Sequence, residues 1–262
     1  VTEPATNNIW QPDTYDRRFG FVTHLGSELI GLLGPVDGRS VLDVGSGTGH
    51  LTAALHRAGA YRVVGIDASS AMVDAARRDH PDLRFVVGDA QQMTLASLGE
   101  AAPFDAAFSN AALHWMPRGD LAAAAVRGVL RPGARYVAEL GGAGNVAAID
   151  TALRSALAEV GASPDLPVGN TFPSAARQAD WLESAGFLVR ELRWFERPTP
   201  LPAGLTAADW TKHFRARAWA AIPAELADGL AAAVDRYAAS AGLAEGGWHI
   251  DYCRLRFLAE AR

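Results

Sequence analysis

Cysteine is almost missing from this chain: of 262 residues, only Cys253 carries a thiol. A single thiol closes no internal disulfide and supplies no multi-cysteine zinc site, which excludes a disulfide-braced scaffold and a zinc ribbon. Lysine is as scarce. Lys212 is the only one and every other basic side chain is arginine, a bias of G+C-rich coding sequence that carries no mechanism. The 24 basic residues fall short of the 29 acidic ones, leaving a net charge of −5. That balance disfavours generic binding to nucleic acid or to an anionic membrane. No apolar run reaches the ~18 residues of a membrane span. The segment Val1 to Trp10 is polar and lacks the basic–apolar–small order of a signal peptide. The expectation is a soluble cytoplasmic protein, of bacterial origin given its arginine-for-lysine usage.

What is present is a globular composition, 49% hydrophobic and 20% charged, far from the disordered corner. The length fits one large domain with an insertion. Residues 1–38 read as a helical cap, because Tyr15, Phe19, Val22, Leu25, Leu29 and Leu32 recur every three or four residues until Gly34-Pro35 ends the pattern. Residues 39–262 form the main domain. A βα rhythm opens it, with strands expected at Ser40–Val44, Arg62–Ile66, Leu83–Val87, Asp105–Ser109 and Arg135–Leu140. Helices are expected near Thr48–Ala58, Ala71–Asp79 and Asp120–Leu130, and Arg131-Pro132-Gly133 reads as a turn. The strands are nearly continuous apolar runs, as in a parallel sheet covered on both faces. Further on, Val146–Val160 and Ala175–Ser184 read as helices, Gly186–Phe195 as a strand and 206–241 as a helical insertion. The tail Trp248–Ala259 alternates, with Cys253, Leu255, Phe257 and Ala259 on one face of a last strand.

The chemistry-bearing segment is Val41-Leu42-Asp43-Val44-Gly45-Ser46-Gly47-Thr48-Gly49. A strand running into alternating glycines and then a helix brings backbone N–H groups close to a ligand. It is not the dinucleotide fingerprint: His50 stands where the last glycine belongs, and the carboxylate of Asp43 would repel a pyrophosphate. A ligand bearing an ammonium or sulfonium group would be attracted instead. Asp67 ends the second strand, where a carboxylate can accept both hydroxyls of a ribose. Asp89 ends the third and can accept from an exocyclic amine. Three acids at three successive strand ends point to a nucleoside cofactor.

The glycine segment resembles motif I of the class I S-adenosylmethionine-dependent methyltransferases. Asp67 matches their ribose acid and Asp89 their adenine-proximal acid. Phe104 to Met116, Glu139 to Asn145 and Phe195 to Leu201 resemble stretches of the trans-aconitate methyltransferase-like subgroup, and Tyr15 with Phe19 to Val22 resembles the helix that folds over the cofactor there. The resemblance implies an α/β, doubly wound, mostly parallel seven-stranded sheet with an antiparallel last strand, an N-terminal helical cap and a helical insertion before the last strand. It implies S-adenosylmethionine as cofactor, leaving S-adenosylhomocysteine as product. The cofactor-binding positions it implies are Asp43, Gly45, Ser46, Gly47, Gly49, Asp67, Ala68, Asp89, Ala90, Gln91, Asn110 and Ala111. Ser46 departs from the pattern, in which cysteine is more common; the backbone makes the contact there.

No metal is expected, because the histidines are scattered without ligand spacing. His114, at the exit of the fourth strand, is the candidate general base or substrate hydrogen-bond partner, with simple packing as the alternative. Glu139 reads as a second polar group of the pocket or as a salt-bridge anchor, and Tyr15 and His24 as groups closing over the cofactor. Trp210, His213, Phe214 and Arg217 share one helical face within 206–241, which reads either as core or as a substrate lid for an acidic small molecule. Cys253 is expected to pack. The leading expectation is methylation of a small molecule, O-methylation of a carboxylic acid, with carbon or hydroxyl acceptors as alternatives. A nucleic-acid or protein methyltransferase, a non-catalytic cofactor-binding protein and an NAD-dependent oxidoreductase are weaker readings.

Overall fold

The computed structural model describes residues 28–165 and 170–262. Tyr15, His24 and most of the expected cap lie outside the described residues. Within them, Glu28–Ile30 is helical and tightens into a 3₁₀ turn at Gly31–Leu33, which Gly34 ends at φ +72°. Leu29 and Leu33 enter the core, and Leu32 packs against it, partly buried.

Seven strands form one sheet in the order β3-β2-β1-β4-β5-β7-β6. They are β1 (Ser40–Val44), β2 (Arg62–Asp67), β3 (Arg84–Val87), β4 (Phe104–Asn110), β5 (Leu130–Gly141), β6 (Phe187–Pro200) and β7 (His249–Ala261). Pairings from β3 through β5 are parallel, and β7 runs antiparallel to both β5 and β6. The strand order reverses between β1 and β4, and open α/β sheets bind ligands at such a switch point. The expected turn at Arg131-Pro132-Gly133 lies inside β5 instead. Phe104 faces Leu130 and Ala106 faces Arg135, so these residues form a bulge, with Gly133 at φ +76°.

Helices α1 (His50–Arg57), α2 (Ser70–Asp79), α3 (Leu95–Leu98), α4 (Gly119–Gly128), α5 (Ala147–Glu159) and α6 (Ala175–Ser184) follow the strands. Ser69 caps α2 through Met72 N–H, and Ser174 caps α6 through Arg177 N–H. Alternation along the strands feeds two cores. Leu42, Val44 and Ala107 join Val126 and Leu182 on one face; Val41 and Phe108 join Leu29, Leu33 and Leu55 on the other.

The insertion is not one helix. It divides into α7 (Ala207–Phe214), α8 (Ala216–Ala220) and α9 (Ala227–Ser240), with Arg215 at the first break. Thr206 and Asp209 cap α7 reciprocally. A third core, with Ile149, Leu153, Trp210, Leu230, Val234 and Tyr252, packs α7 and α9 on α5 and the start of β7. Asp251 secures this block to the sheet by accepting the Ala148 N–H at 2.7 Å.

Candidate active site

The loop after β1 follows from its glycines. Gly45, Gly47 and Gly49 hold φ of +74°, +53° and +84°, a region side chains rarely enter. The Gly45 and Ser46 N–H groups both donate to Ile66 O, at 2.8 and 3.1 Å, which ties the loop to β2. A Cβ on Gly45 would lie 2.1 Å from Ala112 Cβ, so only glycine lets the β4 exit approach this closely. Among the described residues, a Cβ on Gly47 would meet no atom within 4 Å. The space over Gly47 is thus open to a ligand.

Three acids stand at or just beyond the ends of β1, β2 and β3, and one of them, Asp67, contacts Gly47 directly. Asp43 is buried, accepts the Thr52 hydroxyl at 2.7 Å, and is pushed up to about 7 by burial, with the Asp67 charge adding and Thr52 opposing. Asp67 accepts N–H groups from Gly47 and Ser69, each at 2.9 Å, yet burial still raises it above the ordinary carboxylate range. Ala68 beside it is partly buried. Asp89 accepts the Gln91 backbone and side-chain N–H at 2.9 and 3.0 Å, while the Ala90 side chain enters the core and leaves only its backbone for contact. Ser46 packs so close to β2 that a Cβ on Gly65 would sit 2.8 Å from its Oγ. This donor and acceptor set, with open space above a glycine cradle, fits a cationic nucleoside cofactor.

Next to the loop, at the β4 exit, is a cavity of about 50 Å³ lined in part by Ala111, His114, Trp115, Asn145, Val146 and Asn170. Phe172, Trp210, Phe214, Arg215, Tyr252 and Arg254 complete it. Ala111 and Val146 are the two non-glycine residues with positive φ among the described residues, at 55° and 56°, and both line this cavity. Such strain gathers at functional sites, because surrounding structure must enforce it. Asn110 stands just before, paired with Glu139 across β4 and β5.

His114 is buried on a 3₁₀ turn, Leu113–Trp115. Its Nδ1 lies 3.2 Å from the Gly141 N–H and accepts it, which leaves the ring proton on Nε2. Burial first, then the charges of Arg254 and Arg215, lower its pKa to about 3. A general base working near neutrality needs a pKa near 7; in this geometry the ring is neutral, with its Nε2–H the group left to donate.

Of the two readings of Glu139, the structure shows the salt-bridge anchor, and the shared Trp210–Arg217 face is corrected. Glu139 is buried and gripped by Arg197, at 2.5 and 3.0 Å, and by Arg256, at 2.7 and 2.8 Å. Arg217 does not continue the Trp210–Phe214 face, because the chain breaks at Arg215. It is Arg215 that turns into the cavity, buried against Trp210 and forked onto Asp150 at 2.8 and 3.0 Å. Arg254, 4.2 Å above the Tyr252 ring, was missed as well. The alternation in the last strand held a signal for it: an arginine on the face opposite Leu255 and Phe257. Asn170 left no signal in the sequence. Cys253 is partly buried and its thiol pKa is raised, chiefly by burial.

Among the described residues no group of acidic, histidine and cysteine side chains could hold a metal, and no helix is long and apolar enough to cross a membrane.

A sequence model of the methyltransferase domain matches residues 41–133, which span β1 to the β5 bulge. The chain is 33% identical over 260 residues to an uncharacterised methyltransferase of Schizosaccharomyces pombe, covering 96% of this chain and 98% of that one. It is 36% identical over 108 residues to the trans-aconitate 2-methyltransferase of Delftia acidovorans, 41% of this chain and 40% of that enzyme. A phosphoethanolamine N-methyltransferase of Haemonchus contortus, solved with S-adenosylhomocysteine, shares the fold at a TM-score of 0.58 and 14% identity, over 97% of this chain and 61% of that one. The switch-point cradle, its acids and the full-length relative agree: the chain belongs to the class I S-adenosylmethionine-dependent methyltransferases.

Proposed function

We propose that this methyltransferase esterifies a small carboxylic acid, and that the acceptor enters the cavity beside His114. What supports this reading is the geometry of that histidine, which is buried and has Nδ1 already accepting the Gly141 N–H. An imidazole with pKa about 3, its Nδ1 already occupied by Gly141, takes no proton from a hydroxyl or a carbon at neutral pH. No carboxylate lines the cavity among the described residues, and Tyr252 there has its phenol pKa raised by burial. An acceptor that arrives ionised needs no base. Arg215 is balanced by Asp150, and Arg254, which also lines the cavity, adds a guanidinium that favours an anion there.

S-adenosylmethionine supplies an electrophilic methyl on a sulfonium centre. With the cofactor bound, transfer of that methyl to a carboxylate oxygen would break the C–S bond, leave its electron pair on the sulfur of S-adenosylhomocysteine and release no proton, so no base would be needed. The protein's work is alignment and exclusion of water. In this reading Gly45 to Gly49, Asp43, Asp67-Ala68, Asp89 to Gln91 and Asn110-Ala111 hold the donor. Trp115, Phe172, Trp210 and Phe214 wall the acceptor, with the 206–241 insertion as its lid.

Tritiated S-adenosylmethionine and a panel of aliphatic and aromatic acids test the proposal. The expected product is a base-labile methyl ester, formed at a rate flat from about pH 6 to 9. A methyl group found on carbon, or a base limb near neutrality that disappears with His114, overturns it.

A further inference from the structure

The geometry points to Asn170 as the residue that reads the methyl acceptor, its amide N–H₂ turned toward an acceptor oxygen by the Asp150–Arg215 ion pair. This rests on the acceptor occupying the cavity beside His114. Asn170 Oδ1 accepts from Arg215 Nη1 at 3.2 Å, which assigns the two ends of the amide, since a guanidinium has no acceptor to offer Nδ2. Arg215 itself cannot swing. Its Nε and Nη2 are forked on Asp150, and Nη1 also donates to Phe214 O at 2.9 Å. Among the described residues Asn170 Nδ2 is buried with no hydrogen-bond partner, in a residue that lines the cavity. An orphaned buried donor is costly, and folded proteins rarely keep one without a use.

The neighbouring groups point the same way. Thr171 N–H donates to His114 O at 2.8 Å, and the Phe172 ring lies 5.7 Å from the His114 ring, which fixes this loop beside the imidazole. Asn145 Oδ1 accepts the Cys253 N–H at 2.9 Å, so the free capacity of that amide is also a donor. His114 adds its Nε2–H. The cavity wall is therefore a set of donors around a space for a few non-hydrogen atoms. It matches the lone pairs of a carboxylate and opposes an ammonium group, so Asn170 sets specificity for oxygen acceptors over amines.

The test uses the whole protein saturated with S-adenosylhomocysteine. Side-chain amide signals of ¹⁵N-labelled protein, with Asn170 assigned by their loss in Asn170→Asp, are followed as acetate, benzoate, succinate and phenylacetate are titrated. At least one acid is expected to move the Asn170 signals. On the best acceptor in turnover, Asn170→Asp places an anion against the substrate and should raise KM about hundredfold, with kcat and S-adenosylhomocysteine affinity within about threefold. Asn170→Ser removes the donor without adding charge. It should raise KM about tenfold and carries the test if the aspartate variant does not fold. Arg215→Lys keeps the charge opposite Asp150 but loses the fork, and its KM effect should not add to that of Asn170→Asp, a coupling that simple loosening would not produce. Unmoved Asn170 signals throughout the titrations, or an unchanged KM in both Asn170 variants, overturn the proposal. If only hydroxyl compounds are methylated, the carboxylate reading fails by itself, and the KM ratios on that acceptor still decide the role of Asn170.

Discussion

Replacing Asp150 by alanine should strip the helical insertion of its anchor and leave the cofactor cradle standing. Asp150 on α5 and Arg215 at the α7–α8 break are 6% and 7% exposed, so neither charge has water to fall back on. Two N–H···O contacts at 2.8 and 3.0 Å join them, and the guanidinium lies 5.3 Å from the Trp210 ring centre. Breaking a buried pair from one side strands a charge and costs about 3–5 kcal/mol. For a domain of this size that lowers Tm by roughly 10 °C. The paired change Asp150→Leu with Arg215→Met removes both charges and fills similar volume, which is often neutral or stabilising. Thermal unfolding of the two single variants and the double variant measures this. The singles should each fall by several degrees, and the double should recover most of that loss. S-adenosylhomocysteine affinity should stay within about threefold in all three, since Gly45–Gly49 and Asp67 belong to the sheet's switch point. A drop of less than about 2 °C in Asp150→Ala, or a double variant that loses the sum of both singles, would refute the buried-charge argument.

Asp67→Ala should weaken S-adenosylhomocysteine binding about tenfold to a hundredfold by calorimetry, the loss of about 1.5–3 kcal/mol for hydrogen bonds to a charged group; unchanged affinity would remove Asp67 from the site. His114 should make stability depend on pH. Its folded pKa of about 3 lies below the unfolded value of 6.5, so the unfolded chain binds the proton first and stability is lost as pH falls from 6.5 toward 3. Between pH 7.5 and 5 the wild type should lose about 2 kcal/mol more than His114→Gln, at about 1.4 kcal/mol per pH unit below 6.5. Equal losses in denaturant titrations would mean that the imidazole is not buried in its neutral form.

Strands β1 to β4 were legible because each is a short, largely apolar run, and because burial on both faces of a parallel sheet leaves no polar alternation to confuse with a helix; β7 was legible by its alternation instead. α6 was readable for a similar reason: Ser174 caps its start, and Gly186 follows its end. The insertion was less so. Its alanines favour helix throughout, but propensity does not say where a helix breaks. The break comes at Arg215 because that side chain finds Asp150, 65 residues earlier, and no local pattern records such a pairing.

The same division holds at the site. Gly45, Gly47, Gly49, Asp43, Asp67 and Asp89 form a loop and strand ends whose positive φ values and acids are local properties, so the sequence alone determined the fold and the cofactor and pointed to this loop as the candidate cradle. The acceptor cavity draws on β4, the loop at 170–172, the start of α5, the insertion and β7, and its chemistry comes from contacts across long sequence separations. Only the tertiary structure decided that Glu139 is held by Arg197 and Arg256, and that Arg215 rather than Arg217 faces the cavity. It also decided that His114 is buried with its Nδ1 accepting a backbone N–H from β5, a contact set by packing.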